Sequence, residues 1–375
     1  MSGPLTGLIV VEMAGLGPCP LAGQLLADLG AEVIVIERAS RKADPTDINS
    51  RSKRSVALNL KHPEGIAAAL RIINRADILI EGFRPGVMEK LGLGPEPCLG
   101  SNPRLVYGRM TGWGQNGPLA QTAGHDINYL SLTGALSMIG RSGEPPVPPL
   151  NLVADYAGGT MFLLVGVLAA VIERAASGKG QVVDAAMVDG VPALMGLIHT
   201  FLARGQWAAG RESNLLDGGA PFYRCYRTAD DKFISVGPLE PQFFALLVEK
   251  AGLPAEHRDS QNDHRAWQAR WESYAAVFAR RTRAEWEAIF QGTDACVAPV
   301  LGMDEVEAHP HNAARGNFLR VGEVLQAAPA PRFSRSHCAD PAVPDAPGAS
   351  TAAVLGEVGY TPEQVAALKT AGVLT

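Results

Sequence analysis

Through residues 7–110 the chain alternates short β-rich runs with helical patterns: 8–12, a helix near 21–29, 33–37, a helix near 63–74, 78–80 and 105–108. Strands separated by helical crossovers cannot pair as hairpins, so this alternation predicts βαβ units and a parallel sheet. With 375 residues, there is chain enough for such a domain, a second smaller one and a sizeable core. A composition of 47% hydrophobic and 19% charged residues is that of a globular protein, and a formal charge of −5 argues against general nucleic-acid binding. Any anionic ligand must therefore be met by local basic residues.

Beyond the first units, two long apolar helices are expected near 156–176 and 184–203. The character then changes. From about Leu215 a hairpin is expected, 222–226 and 233–236 about Ala229-Asp230-Asp231, followed by helices rich in Trp and charge to about 304–307. The expected plan is a large domain over 1–200 completed by 328–375, a linker over 201–220, a small α/β domain over 221–310 and a return linker over 311–327. Residues 327–350, loaded with Pro, Ala and Ser, should run extended over a surface. A last short helix should start at Thr361, an N-cap followed by Pro362 and Glu363.

The longest apolar stretch, roughly 157–172, is interrupted by Gly and shorter than the ~20 residues a membrane span needs, which predicts a buried helix and no membrane partner. Met1 opens directly onto Ser-Gly-Pro and the run Leu8-Ile9-Val10-Val11 without the order of regions a secretory signal requires, so a cytoplasmic protein is expected. Cys19, Cys98, Cys225, Cys296 and Cys338 are scattered, with no CxxC pair and no zinc spacing. His309-Pro310-His311 has no carboxylate or thiol beside it, and His199 sits in an apolar run; no metal site is expected.

The segment Glu12-Met13-Ala14-Gly15-Leu16-Gly17-Pro18-Cys19-Pro20 looks at first like a dinucleotide fingerprint. It lacks the third glycine, and two prolines remove backbone donors a pyrophosphate would use. Arg38, directly after the second strand, is well placed for a phosphate on an adenosine ribose, as in CoA or NADP, and equally for a surface salt bridge. Basic residues recur in Arg51-Ser52-Lys53-Arg54, beside a short strand-like run, and in Phe83-Arg84-Pro85-Gly86 after the third strand. Arginines recurring at the carboxyl edge of the sheet would suit a ligand with several phosphates, such as CoA.

In Gly124-His125-Asp126-Ile127-Asn128-Tyr129 the histidine is expected at a helix start, where backbone N–H groups can hold an oxyanion beside an imidazole able to take a proton. Asp155, in Leu152-Val153-Ala154-Asp155-Tyr156, and Glu240, in Leu239-Glu240-Pro241, also head helices. On local pattern alone each is as well explained as an N-cap.

These strings together resemble the α-methylacyl-CoA racemases of the family III CoA-transferase superfamily. Besides Gly124–Tyr129, the resemblance takes in Gly140-Arg141-Ser142-Gly143-Glu144, Gly178-Lys179-Gly180-Gln181-Val182, Leu216-Asp217-Gly218-Gly219-Ala220-Pro221-Phe222-Tyr223 and Thr293-Asp294-Ala295-Cys296-Val297-Ala298-Pro299-Val300, and it spans nearly the whole chain. It implies that His125 and Asp155 are the two proton-transfer residues and that Glu240 pairs with the histidine. It also implies that Arg38, the run Ala57, Leu58, Asn59, Leu60 and Lys61, Arg84, and the run Gly124, Asp126, Ile127, Asn128 and Tyr129 line the thioester site. The implied reaction interconverts (2R)- and (2S)-2-methylacyl-CoA through an enolate, with CoA as part of the substrate, no separate cofactor and no metal. The implied architecture is a large Rossmann-like domain with a smaller α/β domain, in a homodimer of subunits threaded like linked rings.

Racemisation needs a base on each face of a planar enolate, and His125 with Asp155 supplies two. Asn59 stands where the family commonly has Asp in its LDLK-like run, and Cys19 and Leu21 replace more usual small or polar residues. The competing enzyme is a CoA-transferase of the same superfamily, in which Asp155 would be a nucleophile carrying the acyl group or CoA.

Overall fold

The computed structural model describes residues 3–38 and 42–374. Six strands form one sheet: β1 (Ile9–Met13), β2 (Glu32–Glu37), β3 (Arg54–Ala57), β4 (Ile78–Glu81), β5 (Val106–Thr111) and β6 (Val182–Ala186). Their order is β3-β2-β1-β4-β5-β6, with every pair parallel. The order reverses between β1 and β4, and a crevice opens at such a switch point beyond the carboxyl ends of the strands. Val10, Val11, Ile78, Leu79 and Ile80 are all 0% exposed, as expected of central strands covered on both faces.

The widest differences from the sequence expectation lie in two segments. The helix expected from 184 is preceded by β6, which places Asp184 opposite Arg109 of β5; only then do the helices Met187–Leu194 and Gly196–Ala203 follow. Pairing with β5 decides the conformation of a run whose periodicity suits either state. The second difference concerns the basic run 51–54. It lies at the amino end of β3, away from the carboxyl edge, and its cations meet internal partners. Arg51, 1% exposed, binds Asp28 at 2.6 Å and the Gln326 side chain at 2.6 Å. Lys53 donates to Glu12 at 2.6 Å and to the Pro20 carbonyl at 2.8 Å, fixing the start of the helix Pro18–Asp28. Arg54 pairs with Glu32 and Glu357. A buried charge held by hydrogen-bonded partners is structural, so this run is not a phosphate site.

The C-terminal helices Thr351–Glu357 and Pro362–Thr370 put Val354, Leu355 and Leu368 into the same core cluster as Ile34, Ile36, Val56 and Leu58. Thr361 caps the second of them reciprocally with Gln364. The continuous helix Leu152–Ser177 has 26 residues; its most apolar stretch has a mean hydropathy of 1.8, and 39% of that stretch is buried. One face packs on the sheet, where Leu163 and Val167 are buried against Gly108; Val165 and Ile172 on the other face are 65% and 75% exposed. The helix expected to be buried is thus buried along one face only.

The chain divides into two compact units: residues up to 133 with 149–194 and 316 onward, and residues 134–148 with 195–315. The second unit is built on an antiparallel sheet of β7 (Arg224–Arg227), β8 (Phe233–Val236) and β9 (Val297–Val300), in that order. Its core joins Phe222, Phe244, Trp267, Tyr274, Phe278 and Trp286. The first hairpin strand starts at Arg224 rather than 222 because Phe222 turns into that core at 0% exposure. In the first unit, a further hairpin pairs β10 (Phe318–Val321) with β11 (Val324–Ala327), ahead of the irregular Pro-rich segment.

Candidate active site

His125 is the N-cap of the helix Asp126–Leu132, with extended backbone (φ −132°, ψ 174°) and an exposed side chain. Asn128, three residues on, accepts the His125 N–H through Oδ1 at 3.1 Å. Tyr129 seats the same turn: its hydroxyl donates to the Gly124 carbonyl and its ring meets Trp113 edge-on at 4.7 Å. The slot for that ring exists because of two glycines. A Cβ on Gly112 would lie 2.0 Å from the Tyr129 ring, and one on Gly124 would lie 2.7 Å from it.

Asp155 lies in a π-helical segment, Leu152–Thr160, that runs directly into the helix Met161–Ser177. Short π turns inside helices are rare and often mark functional sites. The segment packs closely on the helix Met187–Leu194: a Cβ on Gly190 would meet the Gly158 carbonyl oxygen at 1.9 Å. At its start, Asp126 Oδ2 accepts the Ala154 and Asp155 N–H groups at 2.9 and 2.8 Å. At its end, the Thr160 hydroxyl donates to the Pro18 carbonyl at 2.9 Å. Gly17, at φ 71°, passes so near that a Cβ there would sit 3.6 Å from Asp155 Oδ2. The first βα loop, which only at first looks like a dinucleotide fingerprint, thus forms a wall beside the aspartate.

Burial pushes the Asp155 carboxyl above its usual range, and the Asp126 carboxylate pushes it further; a hydrogen bond from Asn151 and the imidazole of His125 oppose the shift. His125 and Asp155 are therefore close enough to act on each other electrostatically. Burial likewise raises the Tyr129 phenol, with Asp155 adding to the rise and Arg84 opposing it. His125, Asp126, Tyr129, Arg84 and Asp155 form one group in the first unit, at the carboxyl edge of the sheet.

The remaining site residues are distributed less tightly. Arg38, Lys61 and Arg84 follow the carboxyl ends of β2, β3 and β4 with exposed side chains. Ala57 and Leu58 are each 1% exposed, and their N–H groups are taken by Thr351 Oγ1 and the Glu37 carbonyl. The Asn59 N–H goes to the Val373 carbonyl, and its side chain accepts the Lys61 N–H, so the residue that departs from the family pattern shapes a turn. Leu60 is partly buried against the core. Ile127 and Asn128 are exposed beside His125. Glu240 stands exposed at the N-cap position of the helix Pro241–Ala251 in the second unit, its side chain making no cap hydrogen bond, and its charge helps raise the Cys296 thiol. Sequence reasoning missed Asn151, Thr160 and Gly17 as neighbours of Asp155, since none carries a local signal of that role. Among the described residues no three His, Cys, Asp or Glu side chains are grouped to hold a metal ion.

Residues 5–348 match the model of CoA-transferase family III. The chain belongs to this family. The family III chain is 48% identical to the α-methylacyl-CoA racemase of Mus musculus and 45% identical to that of Homo sapiens, each over 367 residues that make up 96% of this chain and 95% of the relative. Among solved structures, a CAIB/BAIF family protein from Brucella suis is similar at a TM-score of 0.79 and 26% identity, over 96% of this chain and all of that one. The matched region of the family III chain includes both proton-transfer candidates, the exposed cations of the sheet edge and Glu240.

Proposed function

We propose that this family III protein is an α-methylacyl-CoA racemase, interconverting (2R)- and (2S)-2-methylacyl-CoA. The observation that carries the reading is the meeting, at one sheet edge, of an imidazole at a helix start and a carboxyl whose acidity is weakened by its surroundings. The racemases it resembles at 45–48% identity support the substrate class.

In the proposed step one of the pair takes the proton from C2, and the C–H electrons move into the thioester to give an enolate. The other then gives a proton to the opposite face of C2. Two groups of different type allow one to be proton-loaded while the other is empty, which a single base cannot achieve. The first N–H groups of a helix have no partner within it. In the helix that His125 caps, the N–H of Asp126 is thus a donor for the thioester oxygen as charge grows on it. Arg38, Lys61 and Arg84 suit the phosphates of CoA, which enters as part of the substrate. Glu240 joins the proposal, as partner to the imidazole, on the resemblance alone.

The same reading makes the protein a homodimer. Leu132, Val165 and Ile172 are 64%, 65% and 75% exposed on the first unit, apolar side chains that a partner subunit would cover. Light scattering across a dilution series should give twice the chain mass throughout.

The deciding experiment incubates a 2-methylacyl-CoA thioester in deuterated water with no acceptor. Deuterium should enter C2 as the two epimers converge. No exchange there, together with an adduct on Asp155 and CoA passing to a carboxylate supplied in a second reaction, would establish the transferase chemistry instead.

A further inference from the structure

We propose that the side chain of Asp126 is a positioning residue that ties His125 and Asp155 into one rigid frame. The inference rests on the racemase reading and adds to it a residue whose side chain need not touch substrate.

An acidic residue in the first turn of a helix usually serves that helix's own N–H groups. Asp126 does not. Its carboxylate turns away from the helix it opens and accepts two N–H groups 28 and 29 residues on, those of Ala154 and Asp155, at 2.9 and 2.8 Å. These donors lie at the start of the π-helical segment, where helical N–H groups lack partners within their own segment. Asp126 thus caps one catalytic segment from the other. Its backbone follows His125 directly, and its Oδ2 holds the backbone of Asp155, so a short chain of covalent and hydrogen bonds sets the separation of the two groups. A racemase depends on that separation, since the two groups must reach one carbon from opposite sides.

The second Asp126 oxygen distinguishes this cap from an ordinary one. The side chain is 7% exposed, and Oδ1 is buried with no hydrogen-bond partner among the described residues. Capping alone would be served by an uncharged acceptor with less to desolvate. A carboxylate in this place also puts negative charge beside Asp155, which favours that group keeping its proton. The other titratable group acting on Asp155 is His125, which opposes this; Asp155 in turn raises the Tyr129 phenol, which Arg84 lowers.

Asp126→Ala and Asp126→Asn separate the two contributions. Alanine removes the cap and should lower kcat on the order of a hundredfold, with KM for the acyl-CoA changed little. Asparagine keeps an oxygen for both N–H groups and should recover about tenfold over alanine. It should also move the acidic limb of the pH profile of kcat/KM to lower pH, because the charge that raises Asp155 has gone. Amide hydrogen exchange over residues 152–158 should quicken in alanine and not in asparagine. The proposal is overturned if alanine matches the wild type in kcat and exchange, or if asparagine falls as far as alanine without moving the limb. Should alanine not fold, the asparagine profile decides. Should the wild type lack racemase activity, that reading fails by itself. The amide exchange and a carbon NMR titration of the Asp155 carboxyl then still decide the frame.

Discussion

The turn that carries His125 and the turn that carries Asp155 are both helix starts, and they are held in opposite ways. Around His125 the supports are local: Asn128 three residues on binds its N–H, and Tyr129 binds the Gly124 carbonyl. Around Asp155 they come from afar: Asp126 at 28 and 29 residues, Pro18 at 142 residues from Thr160, and Gly190 packed against Gly158. The first is an α-helix with its functional side chain in solvent, and the second a π-helical segment with its side chain half-buried. A locally braced exposed group can meet a ligand without rearranging the core. A group braced by distant elements has its proton affinity set by those elements, which is what a second base of different character requires.

The strongest challenge to this comparison is removal of each group in turn. His125→Ala and Asp155→Ala should each lower racemisation by roughly a thousandfold or more, because every turnover needs an acceptor and a donor. The two variants should differ in exchange. Each should still wash deuterium into the epimer that faces its surviving base, with configuration retained, and the favoured epimer should switch between them. Loss of exchange with both epimers in both variants would end the division of faces.

The contrast in bracing predicts unequal stability losses. Gly190→Ala places a methyl group 1.9 Å from the Gly158 carbonyl oxygen, so the two helices must part. A loss of about 2–3 kcal/mol is expected from overpacking of this kind, read from urea unfolding. Asn128→Ala removes one capping contact at the other turn and should cost only about 1 kcal/mol. A larger loss at Asn128 than at Gly190 would reverse the picture of local against distant support.

A finer test uses pH. The folded-state carboxyl of Asp155 is raised, so its ionised form is disfavoured by folding. Asp155→Asn should therefore raise the Tm relative to wild type at a pH above the raised folded value. The gain should shrink as pH falls through the raised folded value and vanish below the unfolded carboxyl's ordinary value near ~3.9. A gain that grows on acidification would mean that the site favours the carboxylate. The smallest effect is expected far from both turns. Arg38→Ala should raise KM a few-fold with little change in kcat, since a remote phosphate contact is kept in ground and transition states alike. Equal losses with CoA and dephospho-CoA thioesters would show that Arg38 does not read the 3′-phosphate.

Several features were legible in the chain itself. The alternation over 7–110 specified parallel strands because a strand followed by a helix returns to the sheet in one direction and one hand. The place of His125 at a helix start was written locally, by the glycine before it and the polar Asn128 three residues on. The cap at Thr361 and the hairpin strand 233–236 were legible for the same reason: their partners lie within a few residues.

Contacts between distant segments decided the rest. The run at 182–186 is a strand because β5 offers it an edge, and Arg51 and Lys53 are structural because Asp28, at the end of the first helix, and Glu12, of β1, reach them. The π-helical turn exists where Asp126, Pro18 and Gly190 converge on it. Periodicity reports which face of an element is apolar, and capping patterns report where it begins. Neither carries the identity of a partner 28, 29 or 142 residues away, so the surroundings that tune Asp155 came only with the tertiary structure.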